Sequence, residues 1–156
     1  MRHIAIITLL ALSGSSFSAF AESPATTPAK SVEDPVLAKQ LGADERGMRH
    51  YVLVILKTGK NRVPDGKARD EMFKGHFANI NRLADEGKLA IAGPFGDKND
   101  WRGMFIFAVD DIEAAKLLVA TDPVIQSGEM VAEYHSLYAS AALMSVSNIH
   151  KKIAGK

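Results

Sequence analysis

Cysteine is absent from all 156 residues. No disulfide can form, no thiol can act as nucleophile or metal ligand, and an N-terminal lipid anchor, which needs a cysteine, is excluded. Charge of one sign is lacking too. The chain has 19 Lys+Arg against 18 Asp+Glu, so nothing steers it toward nucleic acid or the surface of an anionic membrane. No apolar run approaches the ~20 residues of a membrane-spanning helix. There is no glycine-rich phosphate loop, no nucleophile elbow and no internal repeat.

What is present begins with the three regions of a secretory signal in order. Met1-Arg2-His3 is basic, Ile4 to Leu12 is almost wholly apolar, and Ala19-Phe20-Ala21 has the small-x-small form that signal peptidase needs. Cleavage after Ala21 and a periplasmic or secreted destination are expected, with no stable membrane association. An intact mass beginning at Glu22 is the outcome that would show it. Cleavage removes Arg2 and no acid, which leaves the mature chain neutral. What remains suffices for one compact core, not two.

Glu22 to Lys30 is too poor in apolar groups to offset its ordering entropy and reads as a solvated linker. Residues 22–49 are taken as linker, with a short helix from Pro35 to Leu41 capped by Asp34 and stopped at Gly42. The core domain is expected over 50–138. Tyr51 to Leu56 (YVLVIL) is continuously apolar and β-branched, a strand buried on both faces. A helix follows over about Lys67 to Glu86, with Phe73, Phe77, Ile80, Leu83 and Ala84 on one face and Gly87 as its stop. Leu89 to Ala92 is a short strand broken by Gly93-Pro94, and Met104 to Val109 is a second strand apolar on both faces. Asp110 and Glu113 are spaced as a capping pair for another helix, which ends ahead of Asp122-Pro123. The last strand runs from Met130 to Tyr138, and 139–156 is a helical extension.

The order β-α-β-β-α-β predicts an α+β fold, a ferredoxin-like sandwich of a mainly antiparallel sheet with both helices on one face. Two strands are apolar on both faces while two helices cover only one. A second copy of the sheet is the economical cover for the other, so a homodimer is the expected partner.

His76 falls inside the apolar stripe of the first long helix. A neutral imidazole there can move a proton near neutral pH, or can simply be a core histidine bonded to a backbone carbonyl. Asp122 reads as the cap of a short turn over Val124 to Ser127, and equally as a carboxylate able to orient a histidine. His135 shares one face of the last strand with Val131, Glu133 and Leu137, either joining a pocket or lining the sheet. His76, His135 and Asp122 have the composition of a two-His, one-carboxylate site but no tight ligand spacing, so no metal is expected. Gly93 and Pro94 are turn residues that also let backbone approach a ligand at a pocket rim, and Trp101 and Arg102 lie in the loop beyond them, either covering that rim or simply solvated.

From Tyr51 to Tyr138 the chain resembles the YCII-related (YciI-like) family, a branch of the dimeric α+β barrel superfamily. The resemblance rests on GHFANINRLADEGKLAIAGPF (Gly75 to Phe95), RGMFIFAVDDIEAAKLLVATDPVIQSG (Arg102 to Gly128) and MVAEYHSLY (Met130 to Tyr138). It implies an active-site pair of the helix histidine and the Asp-Pro aspartate, here His76 and Asp122. Where many relatives carry Pro-Trp after the last-strand histidine, this chain has Ser136-Leu137, a departure at a pocket wall. The implied function is an enzyme acting without a cofactor on a small cyclic or aromatic molecule. It would work by proton transfer coupled to elimination, as from a halogenated ring, or to isomerisation. His135, Gly93, Pro94 and Trp101 are the expected substrate-binding residues. The rival readings are a dimeric protein that binds a small ligand without catalysis, and a haem-related role on the same scaffold.

Overall fold

A computed structural model describes residues 33–155; the signal expected over 1–21 and the solvated stretch Glu22 to Lys30 lie outside the described residues. The elements run α1 (Pro35–Leu41), β1 (Met48–Thr58), α2 (Lys67–Asp85), β2 (Leu89–Pro94), β3 (Trp101–Phe107), α3 (Ile112–Val119), α4 (Pro123–Gln126), β4 (Met130–Ser140), a 3₁₀ turn (Ala141–Ser145) and α5 (Val146–Ile153). The four strands form one sheet in the order β2-β3-β1-β4, with every neighbouring pair antiparallel. This is the ferredoxin-like α+β arrangement. Among the described residues no helix is long and apolar enough to cross a membrane.

β1 is central because both its faces are apolar. Val52, Val54 and Leu56 pack toward α2, α3 and α4 together with Leu83, Phe105, Phe107, Ala115, Val119 and Val124. Tyr51 and Leu53 turn to the opposite face, with Ala90 and Ile106. That face is partly covered by the chain itself. Leu143 and Met144 of the 3₁₀ turn pack against it, and α5 is held near α2 by Lys151 on Asp85 at 2.6 Å. The second copy expected over this face therefore has less of it to cover, since the C-terminal extension takes one end.

Several boundaries differ from the sequence reading, each for a local reason. The paired strands β1 and β4 extend from Met48 to Thr58 and from Met130 to Ser140 in unbroken register, because polar ends of a strand keep their ladder partners after the apolar signal stops. β2 runs through Gly93 and Pro94 instead of breaking there, pairing with Met104 and Gly103. Proline is tolerated because β2 is an edge strand, where a missing N–H leaves no partner wanting. The cap of α3 is Asp111, not Asp110: its carboxylate accepts from the Ala114 backbone N–H at 2.7 Å. Glu113 lies in the first turn and pairs with Lys116 instead.

Candidate active site

α2 brings His76 to the sheet-facing side of the helix, where it is 7% exposed. Its ring is surrounded by phenylalanine, with centroids of Phe77, Phe73 and Phe105 at 5.3, 6.1 and 6.1 Å. A polar ring in such a place needs a partner, and Asp122 supplies it. Nδ1 of His76 lies 2.8 Å from Oδ2 and 3.0 Å from Oδ1 of Asp122. Asp122 is fully buried. It also caps α4 by accepting from the Val124 N–H at 3.1 Å. The cap reading and the partner reading of Asp122 thus describe one carboxylate with two donors.

Glycine at position 75 permits this approach. A Cβ there would stand 3.0 Å from Cγ of Pro123, so a larger residue would hold α2 off the first residue of α4 and draw His76 from Asp122. A helix-interior glycine is otherwise unfavourable by ~0.5–1 kcal/mol relative to alanine.

An ionised carboxylate only accepts, so Nδ1 carries a proton, and in the neutral ring Nε2 is the nitrogen with the lone pair. Nε2 has no protein partner, yet it is not among the buried polar atoms left without one; it opens into a pocket of about 340 Å³. Phe73, Phe77 and Ile80 of α2 form one wall, Leu56 of β1 and Phe105 of β3 another, and Gly93, Pro94, Arg102 and Gly103 the rim. The β2–β3 rim is close-packed: a Cβ on Gly103 would lie 2.9 Å from the Gly93 carbonyl oxygen.

Of the residues expected at the site, His76, Gly93 and Pro94 line this pocket, with Asp122 directly behind the histidine. His135 and Trp101 do not join it. They lie on the opposite face of the sheet, around a concavity shared with Leu53, Ile55 and Leu137. His135 pairs across the ladder with Leu53 and bonds through Nε2 to Glu133 at 2.9 Å. Trp101 reaches that face because of a bulge. Leu56 pairs with Gly103 and Lys57 with Trp101, leaving Arg102 as the extra residue. One inserted residue flips the faces of the residues before it, so Trp101 turns away from the pocket and Arg102 turns into it.

Glu129 is the residue sequence reasoning missed, and with it the role of Arg102, read from sequence only as a loop residue over the rim. Glu129 is fully buried where the chain enters β4. Its Oε2 accepts from the Val63 N–H at 2.7 Å, while Oε1 faces Arg69 at 2.9 Å, Arg62 at 3.4 Å and Arg102 at 3.7 Å. Burial pushes the carboxyl up, but the bonds from Arg69 and Val63, with the charges of Arg62 and Arg69, hold it below the ordinary glutamate value. The only sequence signal was a surplus of arginine at 62, 69 and 102, which reads as solvated charge until the fold gathers it.

The fold and the buried pair define an α+β domain with a histidine–aspartate centre. The YCII-related domain matches residues 48–135, more than half of the chain, so the chain belongs to that family. It is 28% identical over 81 residues to an uncharacterized protein, YjpA, of Bacillus subtilis (strain 168), covering 52% of this chain and 85% of that protein. Among solved structures it is similar to 5-chloro-2-hydroxyhydroquinone dehydrochlorinase (TftG) from Burkholderia phenoliruptrix AC1100, in complex with 2,5-dihydroxybenzoquinone. That likeness has 17% identity and a TM-score of 0.38, over 55% of this chain and 90% of the other.

Proposed function

We propose that this protein is a small-molecule enzyme in which His76 transfers a proton and Asp122 holds its ring. The substrate would be a small cyclic or aromatic compound. The observation that carries this reading is that a buried imidazole has one nitrogen fixed by a carboxylate and the other open to an apolar pocket. Nε2 takes a proton from a carbon or oxygen of the substrate, and the electron pair left behind forms a double bond. In an elimination the leaving group departs with its own pair. In an isomerisation the imidazolium returns the proton to a different atom. Asp122 stabilises the imidazolium in either case, as a buried carboxylate does for a catalytic histidine.

Two measurements test the assignment. Nitrogen NMR of His76 is expected to show the Nδ1–H tautomer in the wild type and a changed tautomer balance in Asp122→Asn. That variant keeps a side-chain oxygen for the α4 cap but can place an amide N–H against Nδ1. Against any substrate found by screening small cyclic compounds, His76→Asn is expected to fold normally and to lose about 10²–10⁴-fold in kcat. Full turnover by a folded His76→Asn protein rules the mechanism out, and ligand binding with no turnover by the wild type favours the non-catalytic reading.

A homodimer through the uncovered part of the sheet belongs to the same proposal. The concavity around Leu53, Ile55, Trp101 and Leu137 is apolar and open, about 500 Å³ in volume, and a second copy presents the same apolar surface.

A further inference from the structure

Among the described residues lining the His76 pocket, only His76 and Arg102 have polar side chains. Arg102 is there through the β3 bulge; unbroken alternation would place it on the opposite face with Met104 and Ile106. A bulge beside a pocket re-aims a side chain, and here it aims a guanidinium.

That guanidinium is not satisfied by the protein. Its Nη1 is buried and makes no hydrogen bond, and its nearest acceptor, Oε1 of Glu129, stands 3.7 Å away, beyond bonding distance. Glu129 is shared: its Oε1, itself without a hydrogen bond, also faces Arg69 at 2.9 Å and Arg62 at 3.4 Å, and its Oε2 takes the Val63 N–H at 2.7 Å. One carboxylate therefore faces three arginines, which leaves an excess of positive charge, and Arg102, its side chain 25% exposed, is the one of the three that lines the pocket. Excess charge in a part-buried place is unfavourable. A ligand oxyanion offsets it, and a guanidinium suits a planar oxyanion best.

We propose that Arg102 is a substrate-recognition residue and that the pocket takes a small planar acid. The ring would pack between Phe73, Phe77 and Phe105, and its ionised oxygen would sit on Arg102. This names the substrate class for the site proposed above and rests on that reading for its catalytic meaning, but it stands or falls on binding alone.

Benzoate and benzamide serve as probes, since they share ring and shape and differ in charge. Titration calorimetry is expected to show wild-type protein binding benzoate about tenfold or more tightly than benzamide, the preference shrinking as salt is raised. Benzoate should move the His76 ring signals. Arg102→Gln is expected to bring benzoate down to the benzamide level while leaving benzamide unchanged, and Arg102→Lys to keep part of the preference. A purely structural arginine would lower stability in Arg102→Gln without altering the preference for charge. Equal binding of the two probes by wild type overturns the proposal, as does no benzoate binding at tens of millimolar, or a charge preference that survives in Arg102→Gln. The wild-type comparison decides the matter even where a variant fails to fold. His76→Asn separates the two readings: a preference for benzoate that persists there, beside unchanged turnover, leaves the anion site standing and the catalytic role fallen.

Discussion

Glu129 carries a pH dependence that can be worked out from its surroundings. Its folded-state pKa lies below the ordinary 4.5 because Arg69, Arg62 and the Val63 N–H outweigh the effect of burial. A depressed carboxylate stabilises the fold at every pH above its unfolded value, and that contribution is lost as pH falls through the folded one. Melting temperature is therefore expected to drop steeply below about pH 4.5. In Glu129→Gln that part of the profile should flatten, while stability near neutrality falls by ~3–5 kcal/mol through the loss of one partner of a buried ion cluster. Melting curves from pH 3 to 7 (about the range over which carboxylates titrate) check both; an unchanged profile in the variant would place the acid sensitivity elsewhere. His76 and Asp122 stood out in the sequence because each breaks a local pattern, a polar ring in an aromatic stripe and an Asp-Pro at a helix end, while their pairing was implied only by the family resemblance. Glu129 was not, because a glutamate after Gly128 looks like any solvated turn residue. Its partners at 62, 69 and 102 are brought to it only by the fold.

At the level of elements, the end of β1 and the turn into β4 cross with their backbones in contact. Gly59 donates its N–H to the Glu129 carbonyl at 2.8 Å, and Asn61 to that of Gly128 at 3.2 Å. A Cβ at residue 59 would stand 2.0 Å from the Gly128 carbonyl oxygen. Backbone cannot swing aside as a side chain can, so Gly59→Ala is expected to destabilise the protein by about 3 kcal/mol or more. Chemical denaturation measures it, and a loss below about 1 kcal/mol would mean the crossing yields. Element type and order were readable throughout, since apolar runs, helical stripes and the glycine at 87 are local signals. Strand ends and bulges were not, because they are settled by the neighbouring strand. The same reason sent Trp101 and Arg102 to faces opposite those that simple alternation gives.

For the whole molecule, the two faces of β1 separate folding from assembly. Val52 is buried against the helices, while Leu53 is only partly covered on the opposite face. Val52→Asp is expected to unfold the chain. Leu53→Asp is expected to leave a folded monomer, having put a charge into the proposed interface at a penalty of several kcal/mol. Sedimentation of the wild type at micromolar concentration should give a dimer; a wild-type monomer there contradicts the interface. The need for cover on the open face was readable from strands apolar on both sides. That the C-terminal extension provides part of it was not, since nothing local in Leu143 or Met144 says where a turn will dock.

The order β2-β3-β1-β4 sets a timetable for synthesis. β1 is the first of the four strands to be made and is buried along its centre, but one of its two edges is closed only by residues 130–140. Until the ribosome has delivered them, the helices, β2 and β3 can gather on one side while the other edge of β1 stays open. An unpaired apolar edge is the part of a growing chain most prone to join another chain. The last strand is therefore a seal as well as a scaffold, and the interval before it arrives is when this protein has most use for a chaperone.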